Sequence, residues 1–274
     1  MRPWIIIGVA VLFGLIVVGV LITGLPARRA AADQEICRNN LKNLALFAAV
    51  HAHPPERFPP DKIVHEIPAG TIVLPGVPTE ERLSWVVGAL PGFDQRQQNT
   101  QEIAARIQIG APWSAPANQG AARQKLLMLL CPGNPPEVNG EQPAPTQYVG
   151  VAGLGAGAAT EPVSSPRAGA FRYDSPTPFT AITDGLSQTL LIAERSDDLG
   201  PWLRGGPATL RGIDDSPAAP PLIGAAAQFG GNHPNTSNWA LADGSIRSFT
   251  PRIAPRVLFS LATIAGNEGE AFLE

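Results

Sequence analysis

Hydrophobic positions fall in one unbroken block at the start of the chain and in short, periodic patterns after it. From Ile5 to Leu25 the sequence IIIGVAVLFGLIVVGVLITGL carries no charge. At ~1.5 Å per residue, a helix of about 21 residues spans the ~30 Å hydrocarbon core of a bilayer. The block therefore predicts a single transmembrane helix. Beyond Pro26, Arg28 and Arg29 the spacing changes: Ile36, Cys37, Leu41, Leu44, Phe47, Ala48 and His51 recur every three or four residues, with Arg38, Asn39, Lys42 and Asn43 between them. That period predicts an amphipathic helix with one face against a domain. The expected organisation is a membrane anchor with a short N-terminal tail at 1–26, a spine helix at 27–53 closed by Pro54 and Pro55, and a domain at 54–274.

Within that domain, Thr71 to Leu74 reads as an edge strand among prolines. The stretch RLSWVVGAL at 82–90 is a short buried element whose period does not decide between helix and strand. Gln95 to Ile109 is helix-compatible, and QGAARQKLLMLL at 119–130 predicts an amphipathic helix. Strands are predicted at Gln147 to Ala152 and at Thr189 to Glu194, the latter entered through a turn at Thr183, Asp184 and Gly185. The Gly-, Ala- and Ser-rich stretch from Gly153 to Gly169 reads as loop. Asn238 to Ala242 and Ser245 to Phe249 flank Asp243 and Gly244, the strongest short-range hairpin signal, since both residues tolerate φ > 0. A two-residue turn there would set Leu241 opposite Ile246, with Trp239 on the same buried face. A last helix is expected from Pro255 to Ile264, stopped by Gly266. The fold class is α+β and loop-rich: a transmembrane helix continuing into a spine helix packed on an antiparallel β-sheet.

Composition narrows the function. A net charge of -3 and only 16% charged residues exclude the basic stripe that phosphate binding needs, so nucleic acid is not an expected partner. The two cysteines, Cys37 and Cys131, are too few and too far apart in sequence for a cysteine zinc site and suit at most one disulfide. Cys37 lies on the buried stripe of the spine and Cys131 directly follows the segment 119–130, which places both near the junction of helix and domain. A pairing is expected, with the alternative that both are small buried apolar residues.

Eight blocks carry a family resemblance: CRNNLKNLALFAAVHAHPPERFPP, SWVVGALPGFDQ, PWSAPANQ, LLCPGNP, TQYVGVAG, ITDGLSQTLLIAE, HPNTSNWALADGSIRSF and LFSLATIAGNEGE. In this order they resemble the pilin-like proteins catalogued as domain of unknown function 1559. The seventh block holds His233, nine residues, then Asp243 and Gly244, the H-x9-D-G arrangement that marks the family's C-terminal region. The resemblance implies a type IV pilin or pseudopilin architecture with no established enzymatic activity. The opening MRPWIII lacks the prepilin glycine-phenylalanine junction, and no acidic residue lies between Ile5 and Leu25. The chain is therefore expected to stay uncut and anchored.

Catalytic and metal readings are weaker than structural ones. His51 and His53, two apart, do not share a helical face. Gly185 to Thr189 lacks the second glycine of a nucleophile elbow and leads into a strand. His233 with Asp243 could form a base and its orienting acid, but Asp243 making a turn is the plainer account. Asp184, Asp214, Asp215 and Asp243 lie in predicted turns where calcium could find oxygens, without a known loop spacing. No catalytic residue, metal ligand or cofactor is assigned; His233, Asp243, Gly244, Asp184 and Gly185 are structural motif residues.

The function expected is that of a membrane-anchored structural or assembly protein of the cell envelope. The alternative is a surface module on the same fold that binds a polymer or a partner protein. Glycines 8, 19 and 24 and the Ala10 to Gly14 spacing offer a face for protein partners in lipid. The basic residues Arg28, Arg29, Arg38 and Lys42 argue for a cytoplasmic domain, whereas the resemblance implies an extracytoplasmic one, which is the expectation adopted.

Overall fold

The computed structural model describes residues 3–50, 66–93 and 99–266; inside the first helix, side chains are described at Trp4, Ile7, 12–14 and 25–48. Helix α1 runs Pro3–Val50, with Pro26 inside it at the junction of its two halves. Among the described residues no helix is long and apolar enough to cross a membrane. The predicted helix end at Pro54 and the histidines His51, His53 and His65 lie outside the described residues.

In the second half of α1 the buried stripe is Cys37, Leu41, Leu44, Ala45 and Ala48. Ile36, predicted to belong to it, is 47% exposed. One helical step of about 100° from Cys37 carries it off the stripe. Each fully buried leucine contributes roughly 1.5–3 kcal/mol relative to exposure, so Leu41 and Leu44 give the largest apolar share of this contact.

The stripe lies on a sheet. Short strands come first: β1 (Glu66–Ile67), β2 (Thr71–Ile72) and β3 (Leu83–Ser84), with β2 and β3 antiparallel. The undecided segment at 82–90 is thus both things, β3 followed by helix α2 (Val86–Ala89). Two further short helices follow, α3 (Thr100–Ala105) and α4 (Pro116–Ala122). The predicted helix over 119–130 is therefore corrected: it ends at Ala122, and Leu127–Leu129 form a separate 3-10 turn. The reason is tertiary. The Ala122 carbonyl accepts from the Ala144 amide and the Gln124 carbonyl from Trp202 Nε1, partners that replace the helical ladder.

Strands β4 (Tyr148–Leu154), β5 (Thr177–Pro178), β6 (Leu190–Glu194), β7 (Leu210–Ile213), β8 (Ser237–Leu241) and β9 (Ile246–Phe249) complete the β-structure. The main sheet has the order β7-β4-β6-β8-β9. Its pairs are antiparallel except β4 with β7, which are parallel. Helix α1 crosses β6, β8 and β9 on one face, and α5 (Pro255–Ala262) covers β4 and β6 on the other. The sheet is buried on both sides, not on one. Trp239 and Leu241 pack with Val149, Val151, Leu258 and Leu261, while Ala240 and Ala242 face the core that holds Leu41 and Leu44.

Two local expectations change with this. Ile246 pairs with Ala240, not with Leu241, so the hairpin loop has three residues, Ala242, Asp243 and Gly244. Gly244, at φ 82°, takes the left-handed position that such a loop ends on. The last helix stops at Ala262, and Thr263 is extended. Gly266 is no helix stop: its amide donates to Asp184 Oδ2 at 2.8 Å, while the Ile264 carbonyl accepts from the Asp184 amide. The loop from Gly153 to Gly169 also packs closely. A side chain at Gly153, φ 112°, would run into the Arg167 carbonyl.

Candidate functional site

Where the second half of α1 meets β6 and β8, polar groups are buried together in an otherwise apolar interior. Cys37 and Cys131 are joined by a disulfide with Cα atoms 5.5 Å apart. The sulfurs lie beside His233, whose Nε2 is 3.4 Å from Cys131 Sγ. The same nitrogen is 3.5 Å from Glu194 Oε1, with the two side chains 4% and 0% exposed. Both neighbours can accept a hydrogen bond from a proton carried on Nε2.

Glu194 ends β6, and a buried carboxylate is expensive unless its oxygens are bonded. Here Oε2 accepts from the Asn238 amide at 2.7 Å and Oε1 from Asn238 Nδ2 at 2.9 Å. Asn238 Oδ1 in turn accepts from Ser248 Oγ at 2.7 Å, and Ser248 Oγ accepts from Arg38 Nη1 at 2.9 Å. The path leaves α1 at Arg38 and returns to it at Cys37, through β9, β8, β6, His233 and the disulfide.

A second layer positions Cys131 and His233. Gln147 Oε1 accepts from the Cys131 amide at 2.7 Å, and Gln147 Nε2 donates to Asn134 O and Asn232 Oδ1, both at 2.8 Å. Asn232 Nδ2 reaches Arg195 O at 3.2 Å. On the α1 side, Asn40 Nδ2 donates to the Leu130 carbonyl at 3.3 Å. The fully buried Tyr148 hydroxyl has no well-formed hydrogen bond, although Asn40 and Glu194 are its polar neighbours. Burial first, and the Glu194 charge second, push its pKa far up, so it stays a neutral phenol.

The structure separates the two ends of the H-x9-D-G arrangement. His233 precedes β8 and Asp243 follows it, so the acid beside the imidazole is Glu194. Asp243 Oδ1 accepts from Ser245 N and Ser245 Oγ at 2.9 and 2.6 Å, a turn-making role. Asp184 and Gly185, with φ 95°, form the turn that holds the segment after α5. The four turn aspartates do not assemble: Asp214 accepts from Ser216 N, and Asp215 is paired with Arg167, which holds its carboxyl below the usual carboxylate range. Among the described residues the group with metal-ligand geometry is Cys37, Cys131 and His233.

Sequence reasoning missed Glu194, Asn238, Gln147 and Asn232. One signal was present: a glutamate closing the apolar run TLLIA is a candidate buried charge, which is seldom left unpaired.

The family described as "Protein of unknown function (DUF1559)" matches residues 26–256, from the end of the apolar block through the spine, the sheet and the start of α5. The chain belongs to this family. No curated protein and no solved structure matches it. The family's shared span takes in every residue of the path from Arg38 to Cys37.

Proposed function

We propose that this DUF1559 protein is a membrane-anchored, pilin-like structural or assembly component of the cell envelope, with residues 54–274 outside the membrane. The observation that carries the reading is the asymmetry of α1. Its second half is seated on the sheet, while in its first half Trp4, Ile7, Leu12 and Phe13 are 60–83% exposed. Apolar side chains of this size gain roughly 1.5–3 kcal/mol each on leaving water, which favours lipid around them. The uncharged sequence from Ile5 to Leu25 supports the same occupant. Small residues along it offer protein partners a face in the bilayer.

The tryptophans support a scaffold role. Trp85, Trp202 and Trp239 are buried, and Trp113 is half-buried with Nε1 on the Glu80 carbonyl. A binding module on the same fold is favoured by one feature, a cleft of about 380 Å³ lined by Asp214, Pro220, Pro221, Ile253 and Phe259 among others. Alkaline carbonate extraction of membranes tests the main reading. The full chain should remain in the pellet and a chain lacking 1–25 should be released; a full chain that washes off overturns the anchor.

A further inference from the structure

The disulfide joins α1 to the domain, and its sulfurs lie next to an imidazole that a structural cystine does not need. We propose that, with the disulfide reduced, Cys37, Cys131 and His233 bind a zinc ion through these three donors, so that a metal cross-link replaces the covalent one. The inference goes beyond the proposed envelope role and does not depend on it.

The geometry is close to what such a site requires. Sγ of Cys37, Sγ of Cys131 and a ring nitrogen of His233 lie within 4.8 Å of one another, and all three residues are buried. With Zn–S of about 2.3 Å and Zn–N of about 2.0–2.1 Å, donors around a tetrahedral zinc sit roughly 3.3–3.8 Å apart. The Nε2 to Cys131 Sγ distance of 3.4 Å already has that spacing. The Cα separation of 5.5 Å lets the freed sulfurs part by side-chain rotation, without moving α1. Asn238, donating twice to Glu194, fixes the carboxylate 3.5 Å from the imidazole, where its charge favours a bound cation. Zinc with two thiolates adds no net charge to a pocket that already holds the Glu194 carboxylate. Nε2 would become the ligand atom and the imidazole proton would reside on Nδ1.

The two states exclude each other. Cystine sulfurs carry no thiolate charge and bind zinc poorly, whereas zinc withdraws the thiolates from oxidation. Reduction gives the cystine two electrons and two protons; a phosphine supplies the electrons and takes an oxygen from water to become its oxide. Binding then releases both thiol protons.

The test uses the full chain in detergent, reduced with a water-soluble phosphine that is then removed, and titrated with Co2+ as the spectroscopic probe. The proposal expects one Co2+ per chain, a thiolate-to-cobalt charge-transfer band, and tetrahedral d–d bands that Zn2+ abolishes. His233→Ala should weaken binding at least about tenfold, Cys37→Ser with Cys131→Ser should remove the band, and the oxidised protein should show none. A reduced chain without the band, a His233→Ala chain that binds as tightly as the unaltered one, or a reduced chain that unfolds and stays unfolded with Co2+ would each overturn it.

Discussion

Glu194 Oε1 and His233 Nε2 lie 3.5 Å apart in the interior, and this contact joins the hydrogen bonds of the sheet to the disulfide on α1. Remove the carboxylate and the Asn238 amide and side-chain amide lose their acceptors together. Glu194→Ala is expected to destabilise the domain by about 3 kcal/mol, since bonds to a charged group contribute roughly 1.5–3 kcal/mol and the donors stay buried. Glu194→Gln, which keeps one acceptor oxygen, should cost less. Urea unfolding of the three proteins checks the order.

The disulfide closes a loop with a sequence separation of 94. In the chain-entropy model such a loop contributes about 4–5 kcal/mol by restricting the unfolded chain. Cys37→Ser with Cys131→Ser should lower the unfolding free energy by roughly that much, less any part recovered by relaxation. Equal midpoints for the variant and the oxidised protein in urea would show that the bond adds nothing.

Part of this arrangement is legible in the sequence, and the rest is hidden for physical reasons. Cys37 could be placed on the buried stripe because the helical period is local. Its neighbour Ile36 is as hydrophobic as the stripe, and hydrophobicity does not resolve one helical step. The Asp243 and Gly244 turn was legible, but its length was not, because a two- and a three-residue loop share those residues and differ only in the register of Ala240 with Ile246. The helical period over 119–130 does not carry through, because Trp202 and Ala144, distant in sequence, take the carbonyls that would continue the helix. His233 stands out in its motif, whereas its partner Glu194 does not, since the strand pairing that brings β6 beside β8 leaves no local trace.

Alkaline pH should unfold the protein through Tyr148, which is buried, and Tyr173, which is half-buried. Tyr148 has its pKa raised by burial and then by Glu194, and Tyr173 is pushed up to about 12 by burial and then by Glu80. An acid raised in the folded state contributes stability that is intact below its unfolded pKa of about 10 and is lost as pH rises above it. Each group should remove about 1.4 kcal/mol per pH unit between 10 and its folded value. Tyr148→Phe should about halve the slope between pH 10 and 12 in unfolding curves; an unchanged slope would contradict the assignment.

Gly244 has open space around it, so only its left-handed backbone restricts substitution. Gly244→Val should cost on the order of 1–3 kcal/mol, and Gly244→Asn much less, because asparagine tolerates that region. Gly153→Ala should be worse than Gly244→Ala, since its side chain meets the Arg167 carbonyl as well as an unfavourable φ. Thermal unfolding of the four variants orders them.

The second half of α1 is part of the domain it crosses, tied by Cys37, Leu41, Leu44 and the polar path through Glu194. Amide hydrogen exchange on the oxidised full chain in detergent tests this directly. Residues 37–48 should exchange only with global unfolding, with the same free energy as Leu190–Glu194 and Ser237–Leu241. Exchange of 37–48 orders of magnitude faster than that of these strands would mean that the helix is not held on the sheet, and would contradict the account.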